Sequence, residues 1–198
     1  MRRLCLLFLL IGTYCYAGEK KYTVDSPDGK IQLAIIQTDA GELTYQLSVK
    51  RKQVIDASAL GFKTEDGLTF PFRGWKMGKV TRNKVNSVWK PLWGKRAVVP
   101  DKYNEMKLSF VNEAKSSDAL EVVARAYNEG VAFRYVSPQD AGSALELTTF
   151  NFAGDYTAWF YNGERHNIGP ERLTETDGER LPVMTVKAAD DLYLAVHE

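Results

Sequence analysis

Alternation of apolar and polar residues with a period of two is the main pattern along this chain. Between positions 43 and 49 every second residue is large and apolar, and positions 31 to 35 repeat the pattern. Such alternation predicts half-buried β-strands. The five residues between the two segments, Thr38 to Glu42, include Gly41, so we expect these strands to form a hairpin.

Further strands and tight turns are predicted downstream, whereas helix signals are scarce. Ser26-Pro27-Asp28-Gly29 is typical of a turn, and Asn128-Glu129-Gly130 is typical of a hairpin connection. About ten short strands separated by turns indicate an all-β antiparallel sandwich. The further predicted strands are Met106 to Val111, Leu120 to Tyr127, Val131 to Val136, Leu145 to Phe150, Val183 to Lys187 and Leu192 to His197.

Two segments lack a clear strand pattern. Gly74 to Asp101 contains Pro91 and Pro100, and we expect it to be a long irregular crossover between sheets. Tyr161 to Leu181 is polar and rich in carboxylates, and we expect it to be an irregular loop.

The N-terminus has the pattern of a secretory signal. Arg2 and Arg3 precede an apolar run from Leu4 to Ile11, and Cys15-Tyr16-Ala17 offers small residues at a cleavage site. The apolar run is too short to span a bilayer. We therefore expect residues 1–17 to be a signal peptide, residues 18–198 to form one exported domain, and the protein to be periplasmic or secreted in a bacterium.

Composition narrows the function classes. Both cysteines, Cys5 and Cys15, lie in the predicted signal, so the mature domain cannot form a disulfide or use a thiolate. Removal of residues 1–17 leaves 24 basic against 25 acidic side chains, and such a balance argues against nucleic-acid binding. No second apolar run approaches the ~20 residues of a membrane span.

Few residues offer recognisable chemistry. The common motifs for phosphate binding, serine hydrolysis and zinc binding are absent, and only two histidines, His166 and His197, occur. The stretch Glu164 to Glu171 gathers two carboxylates, an imidazole and an amide, which suits calcium, but the composition alone favours a solvated polar loop. His197 ends a predicted strand between apolar neighbours, which favours a structural role.

The four tryptophans leave two interpretations open. Trp89, Trp93 and Trp159 lie in or beside irregular segments, where aromatic faces could stack on sugar rings. Tryptophan also anchors sandwich cores and crossovers, and that interpretation is equally compatible with the sequence.

Five motifs occur in order along the mature chain. They are Val24-Asp25-Ser26-Pro27-Asp28-Gly29-Lys30-Ile31, Ser58-Ala59-Leu60-Gly61, Trp89-Lys90-Pro91-Leu92-Trp93-Gly94, Tyr103-Asn104-Glu105 and Arg125-Ala126-Tyr127-Asn128-Glu129-Gly130-Val131-Ala132-Phe133-Arg134-Tyr135. Together these motifs resemble glycoside hydrolase family 97, in its N-terminal domain. The resemblance implies a β-super-sandwich similar to galactose mutarotase, packed on a catalytic (β/α)8 barrel in an exported, calcium-dependent bacterial α-glucosidase or α-galactosidase.

The resemblance also implies a role for one carboxylate. In the family a glutamate after the "A-x-W" strand helps to bind the barrel's calcium, and Glu171 matches it best, with Glu164 as the second choice. The catalytic carboxylates belong to the barrel, so we expect residues 18–198 to be inactive alone. The alternatives are a freestanding carbohydrate-binding module, which needs exposed tryptophans in one patch, and a mutarotase-like enzyme using His166 with Glu171.

Overall fold

A computed structural model describes residues 19–65, 67, 69–71, 75–113, 119–137, 142–161, 163 and 167–197. These residues form fifteen strands in four antiparallel sheets and include no helix. The prediction of an all-β antiparallel sandwich is therefore confirmed. The predicted signal peptide lies outside the described residues. No helix of the described part of the chain is long and apolar enough to cross a membrane.

The first sheet is a four-stranded meander that follows the predicted alternation. Its strands are β1 (Lys20–Asp25), β2 (Ile31–Gln37), β3 (Leu43–Val49) and β4 (Lys52–Leu60), in sequence order across the sheet. The turn before β2 is closed by the N–H of Gly29, which donates to the carbonyl of Ser26 at 2.9 Å. Both the turn and the hairpin between β2 and β3 are confirmed.

The second sheet has the order β10-β9-β8-β7. Its strands are β7 (Trp75–Trp89), β8 (Val99–Asn112), β9 (Ala119–Tyr127) and β10 (Val131–Val136). The predicted crossover from Gly74 to Asp101 is wrong, because β7 and β8 form one long hairpin. Most side chains of β7 are exposed, so its sequence lacks the apolar–polar alternation that predicts a strand. Pro100 is tolerated because that end of β8 pairs only with β7.

The main core lies between these two sheets. Leu33 and Ile35 of β2 are fully buried and belong to one apolar cluster with Leu108 and Phe110 of β8. Phe70 joins this cluster with its ring 5.3 Å from that of Phe110 in an edge-on contact. The alternation seen in the sequence thus decides which face of each strand is buried.

A small third sheet and an extended segment close one side of the sandwich. The sheet has the order β11-β5-β6, with β5 (Phe62–Thr64), β6 (Thr69–Phe70) and β11 (Ala144–Glu146). The predicted strand Leu145 to Phe150 is therefore only partly correct. Its second half continues into residues 147–153, which run along β4 and which we call the strap.

The fourth sheet has the order β13-β12-β14-β15 and carries the candidate site. Its strands are β12 (Thr157–Tyr161), β13 (Asn167–Arg172), β14 (Leu181–Ala189) and β15 (Leu192–Val196). The loop predicted from Tyr161 to Leu181 is wrong in part, since β13 pairs with β12 within it. Ala158, Phe160 and Val186 form a second small core under this sheet.

Candidate functional site

Glu171 lies in the edge strand of the fourth sheet. It is half-buried and faces Ala158 of β12 in the pairing of β13 with β12. The register between the strands shifts between the pairs Ala158–Glu171 and Phe160–Ile168, so β13 contains a bulge around Gly169. Bulges redirect side chains and are frequent beside functional sites. Glu171 is therefore held by regular pairing immediately after an irregular step, instead of lying on the predicted open loop.

Gly169 makes this arrangement possible. Its φ of +117° lies in a region that side-chain-bearing residues rarely adopt. A Cβ at this position would stand 2.5 Å from the carbonyl oxygen of Ala158 and 3.1 Å from Cδ1 of Trp159. Only glycine therefore allows β13 to approach β12 this closely, and the approach brings Glu171 next to the strand of Trp159.

Trp159 contributes an aromatic contact on the same sheet. The residue is half-buried, and its ring centroid is 6.4 Å from that of Tyr193 in β15. Tyr193 is 56% exposed, so the two rings form a partly open apolar surface across β12, β14 and β15. Glu171 pairs with Ala158, the strand neighbour of Trp159, so its carboxylate lies on the opposite face of the sheet from these two rings.

Ion pairs lie at the N-terminal end of β12, next to Glu171. Arg172 donates through Nε to Asp155 at 2.8 Å, and Lys187 pairs with Asp190 at 2.9 Å. The backbone N–H of Thr174 and the Arg172 guanidinium lower the pKa of the Asp155 carboxyl. These groups line a shallow groove of about 520 Å³. These two ion pairs involve four of the charged side chains of the groove, and Lys52 also lines it.

The other sequence-predicted site residues are distributed differently. Glu164 and His166 lie outside the described residues, so neither the runner-up metal ligand nor the pairing of His166 with Glu171 is tested. His197 follows β15 and is exposed. Among the described residues, no group of three or more His, Cys, Asp or Glu side chains could hold a metal ion. No described residue makes a hydrogen bond or ion pair with the Glu171 carboxylate.

The tryptophans fall into distinct environments. Trp75 is 6% exposed and belongs to the main core, as the structural interpretation predicts. Trp89 and Trp93 are 54% and 88% exposed, and they lie at the tip of the β7–β8 hairpin. Trp159 is half-buried in a different sheet. Trp89 and Trp93 therefore share one exposed region, and Trp159 is not part of it.

One cluster was missed by sequence reasoning. Glu105 of β8 is only 6% exposed, and it accepts a hydrogen bond of 2.8 Å from Nε of Arg125 in β9. The Arg125 guanidinium lies 4.3 Å from the centre of the Tyr103 ring, and Tyr103 contacts Tyr127 at 5.1 Å. The hydrogen bond to Glu105 raises the pKa of Arg125. The sequence did offer one signal for this cluster. Two residues of opposite charge, Glu105 and Arg125, each lie within a strand that buries apolar side chains in the core, on the side opposite the core.

Comparison with known proteins identifies the family. The family model described as "Glycosyl-hydrolase 97 N-terminal" matches residues 24–198. The chain belongs to glycoside hydrolase family 97. Four of its charged and aromatic motif residues, Tyr103, Glu105, Arg125 and Tyr127, are those that the cluster in the second sheet brings together.

The relatives of this family 97 chain are longer glycosidases. A retaining alpha-galactosidase of Bacteroides thetaiotaomicron is 23% identical over 215 residues, covering 98% of this chain and 31% of that protein. A probable retaining alpha-galactosidase of Streptomyces bingchenggensis is 29% identical over 166 residues, covering 81% of this chain and 26% of that protein. The chain thus spans less than a third of the length of these relatives.

Solved structures give the same result. A family 97 enzyme of Pseudoalteromonas sp. strain K8, in complex with panose, is 34% identical with a TM-score of 0.62. The match covers 71% of this chain and 22% of that enzyme. A beta-arabinopyranosidase matches with 26% identity and a TM-score of 0.59 over 70% of this chain and 22% of that one. The family assignment predicted from the motifs is confirmed, and the chain corresponds to the N-terminal domain of such enzymes.

Proposed function

We propose that this chain is the N-terminal sandwich of an exported, calcium-dependent α-glycosidase, and that Glu171 supplies one ligand to a calcium ion shared with a catalytic barrel. The observation that carries the proposal is the half-buried Glu171 carboxylate, held by strand pairing and without a partner among the described residues. Export rests on the pattern of residues 1–17, and α-glycosides as substrates rest on the family resemblance.

The donor chemistry of Glu171 fits a shared site and does not fit a complete one. Calcium takes six to eight oxygen ligands, and a carboxylate is a hard oxygen donor. One carboxylate cannot replace the hydration shell of the ion, so the remaining ligands must come from elsewhere.

The role of this domain in the calcium site is then to hold the Glu171 carboxylate in position. The bulge at Gly169 and the pairing with Ala158 fix the backbone of Glu171, so its carboxylate can meet a partner surface with little loss of conformational freedom. Calcium bound at such a junction would link the two domains and stabilise their relative orientation. Hydrolysis itself needs a pair of carboxyl groups at the scissile bond, which we assign to the barrel.

The experiment compares this domain alone with a joined protein. The joined protein carries this chain in place of the N-terminal segment of the Pseudoalteromonas family 97 enzyme. We expect the domain alone to bind calcium at millimolar levels or not at all in calorimetry, because one carboxylate competes poorly with water. In the joined protein, Glu171→Gln keeps the size of the side chain, removes its charge, and should shift the calcium dependence of hydrolysis about tenfold upward.

Glu175→Gln is the matched control, since Glu175 is exposed in the turn that follows β13. An unchanged calcium titration in Glu171→Gln would remove Glu171 from the site. Micromolar binding by the domain alone would show a complete site within these residues and would contradict the shared site.

A further inference from the structure

The tip of the β7–β8 hairpin exposes an apolar surface that the site on the fourth sheet does not use. Leu92 is fully exposed, and Trp93 is 88% exposed. We call this surface the hairpin tip and define it by five exposed apolar side chains: Val88, Trp89, Leu92, Trp93 and Val98. The two indoles alone expose about 350 Å², if a tryptophan side chain presents about 250 Å². The aliphatic side chains add exposed apolar area on both faces of the hairpin, because Val88 and Trp89 are neighbours in β7 and point to opposite faces.

The part of the β7–β8 hairpin that carries the hairpin tip does not pair with a third strand among the described residues. The strand β9 pairs with β8 only as far as Tyr103, so beyond that residue β7 and β8 form a two-stranded ribbon. Pairing continues without a register shift from Val80–Leu108 to Trp89–Val99. From Tyr103 to Val99 this ribbon extends about 13 Å at ~3.3 Å per residue. Isolated two-stranded ribbons are only marginally stable in water, so this one gains from packing against a partner.

The charges around the tip indicate what kind of partner fits. Residues 84–100 contain four cations and no acidic side chain. The cations are all exposed, and none of them pairs with an acidic side chain in the described part of the chain: Lys84, Lys90, Lys95 and Arg96. An apolar centre with a charged rim is the usual composition of a protein–protein interface, in which tryptophan is a frequent anchor.

We infer that the hairpin tip docks on the catalytic domain of the longer family 97 polypeptide, against an apolar surface with an acidic rim. The inference rests on the proposed function, because it requires that domain to be present. The matched relatives are three to five times longer than the segment they share with this chain, so they contain the polypeptide needed to cover the tip. Docking would give this domain a second contact, separate from the fourth sheet that carries Glu171.

Protein is favoured over sugar as the occupant by the composition of the tip. Leu92, a fully exposed branched side chain, lies between Trp89 and Trp93 in the sequence. No carboxylate lies within residues 84–100 to accept hydrogen bonds from sugar hydroxyls. Aliphatic side chains gain most from a dry apolar partner surface, and a sugar does not provide one.

Hydroxyl-radical labelling read by mass spectrometry tests the inference. Oxidation of Trp89 and Trp93 is compared between this chain alone and the joined protein described above. We expect about fivefold slower oxidation of both indoles in the joined protein, because an interface core excludes water. Leu145, which is 66% exposed in the third sheet, is the control and should be oxidised at a similar rate in both. If the joined protein does not fold, the catalytic domain is added as a separate polypeptide.

Unchanged oxidation of the two indoles in the presence of the catalytic domain would overturn the inference. Protection of the chain alone by panose would overturn it in favour of a sugar site. Protection that rises with the concentration of the chain alone would overturn it in favour of a second copy. A matched variant pair adds a second readout: Trp93→Ser should lower the melting temperature of the joined protein but not of the chain alone, whereas Leu145→Ser should affect the two proteins equally.

The two proposals can fail separately. Calcium-dependent hydrolysis by the joined protein reports on Glu171, and indole protection reports on the tip. If the two indoles are protected but Glu171→Gln leaves the calcium dependence of hydrolysis unchanged, the docking is supported and the shared calcium site is contradicted. A calcium effect without protection contradicts the docking alone.

Discussion

The Glu105–Arg125 pair offers a direct test of how the second sheet is stabilised. Arg125→Met removes the guanidinium but keeps a side chain of similar reach. Glu105, whose side chain is 7% exposed, would then retain only Lys107, at 3.9 Å, as a cationic partner among the described residues. The carboxylate would stay largely out of water without its 2.8 Å hydrogen bond, and this is the source of the expected destabilisation.

The magnitude follows from the burial of the two partners. Removal of one member of a buried ion pair costs about 3–5 kcal/mol, and loss of a hydrogen bond to a charged group costs about 1.5–3 kcal/mol. The side chain of Arg125 is 33% exposed, so water screens the pair and the lower range applies. Loss of the contact with the Tyr103 ring adds about 0.5–1 kcal/mol. We expect about 3 kcal/mol in total, or a drop of about 9 °C in melting temperature.

Urea-induced unfolding followed by circular dichroism measures this change. Lys107→Met is the matched control and should cost less than about 0.5 kcal/mol, because its longer contact with Glu105 is more exposed to solvent. The double variant Glu105→Gln with Arg125→Met should recover about half of the loss, since no charge then remains buried. A loss below about 1 kcal/mol in Arg125→Met, or no recovery in the double variant, would refute the reasoning.

Two further predictions concern glycine and pH. Gly169→Ala should destabilise the domain by at least ~3 kcal/mol in the same assay, because its Cβ would meet the Ala158 carbonyl in a positive-φ conformation; Gly29→Ala, where φ is +71° and the space is open, should cost only ~1 kcal/mol. Equal losses would contradict the close approach. A hydrogen bond from Ser26 lowers the pKa of Asp28 from 3.8 to about 2. Its stabilisation should therefore be complete above about pH 4 and fade towards pH 2, and Asp28→Asn should flatten this part of a melting-temperature profile. An unaltered profile would contradict the role of Asp28.

The strands that could be predicted from sequence are those that bury one face in the main core. Positions 43–49 and 131–136 have the predicted bounds because alternation records burial on one side of a strand. The strand β7 escaped prediction because most of its side chains are exposed on both faces. Its partner β8 was predicted only over Met106 to Val111, the part that reaches the core.

The candidate site was predictable only in part. The motif resemblance selected Glu171. The polar sequence around Glu171 predicted an open loop, but this segment pairs with β12 and forms a strand. The contact between Glu105 and Arg125 depends on the register of two strands separated by 20 positions along the chain. A single sequence contains no direct record of that register, so the pair could not be derived.

The strap has a consequence for how force and motion pass through this domain. Its N–H groups donate to carbonyls of β4 and of the following Gly61, and one of its carbonyls accepts from the N–H of Asp56. The donors are Leu147, Thr149 and Ala153, and the acceptor is Asn151. The hydroxyl of Tyr45 donates to the carbonyl of Thr149 at 2.8 Å and fastens the strap to the core side. The connection that leads into the fourth sheet is thus itself a bonded strand. A pull on that sheet from a docked partner would be shared across the first sheet as shear, and could not be relieved by a flexible linker.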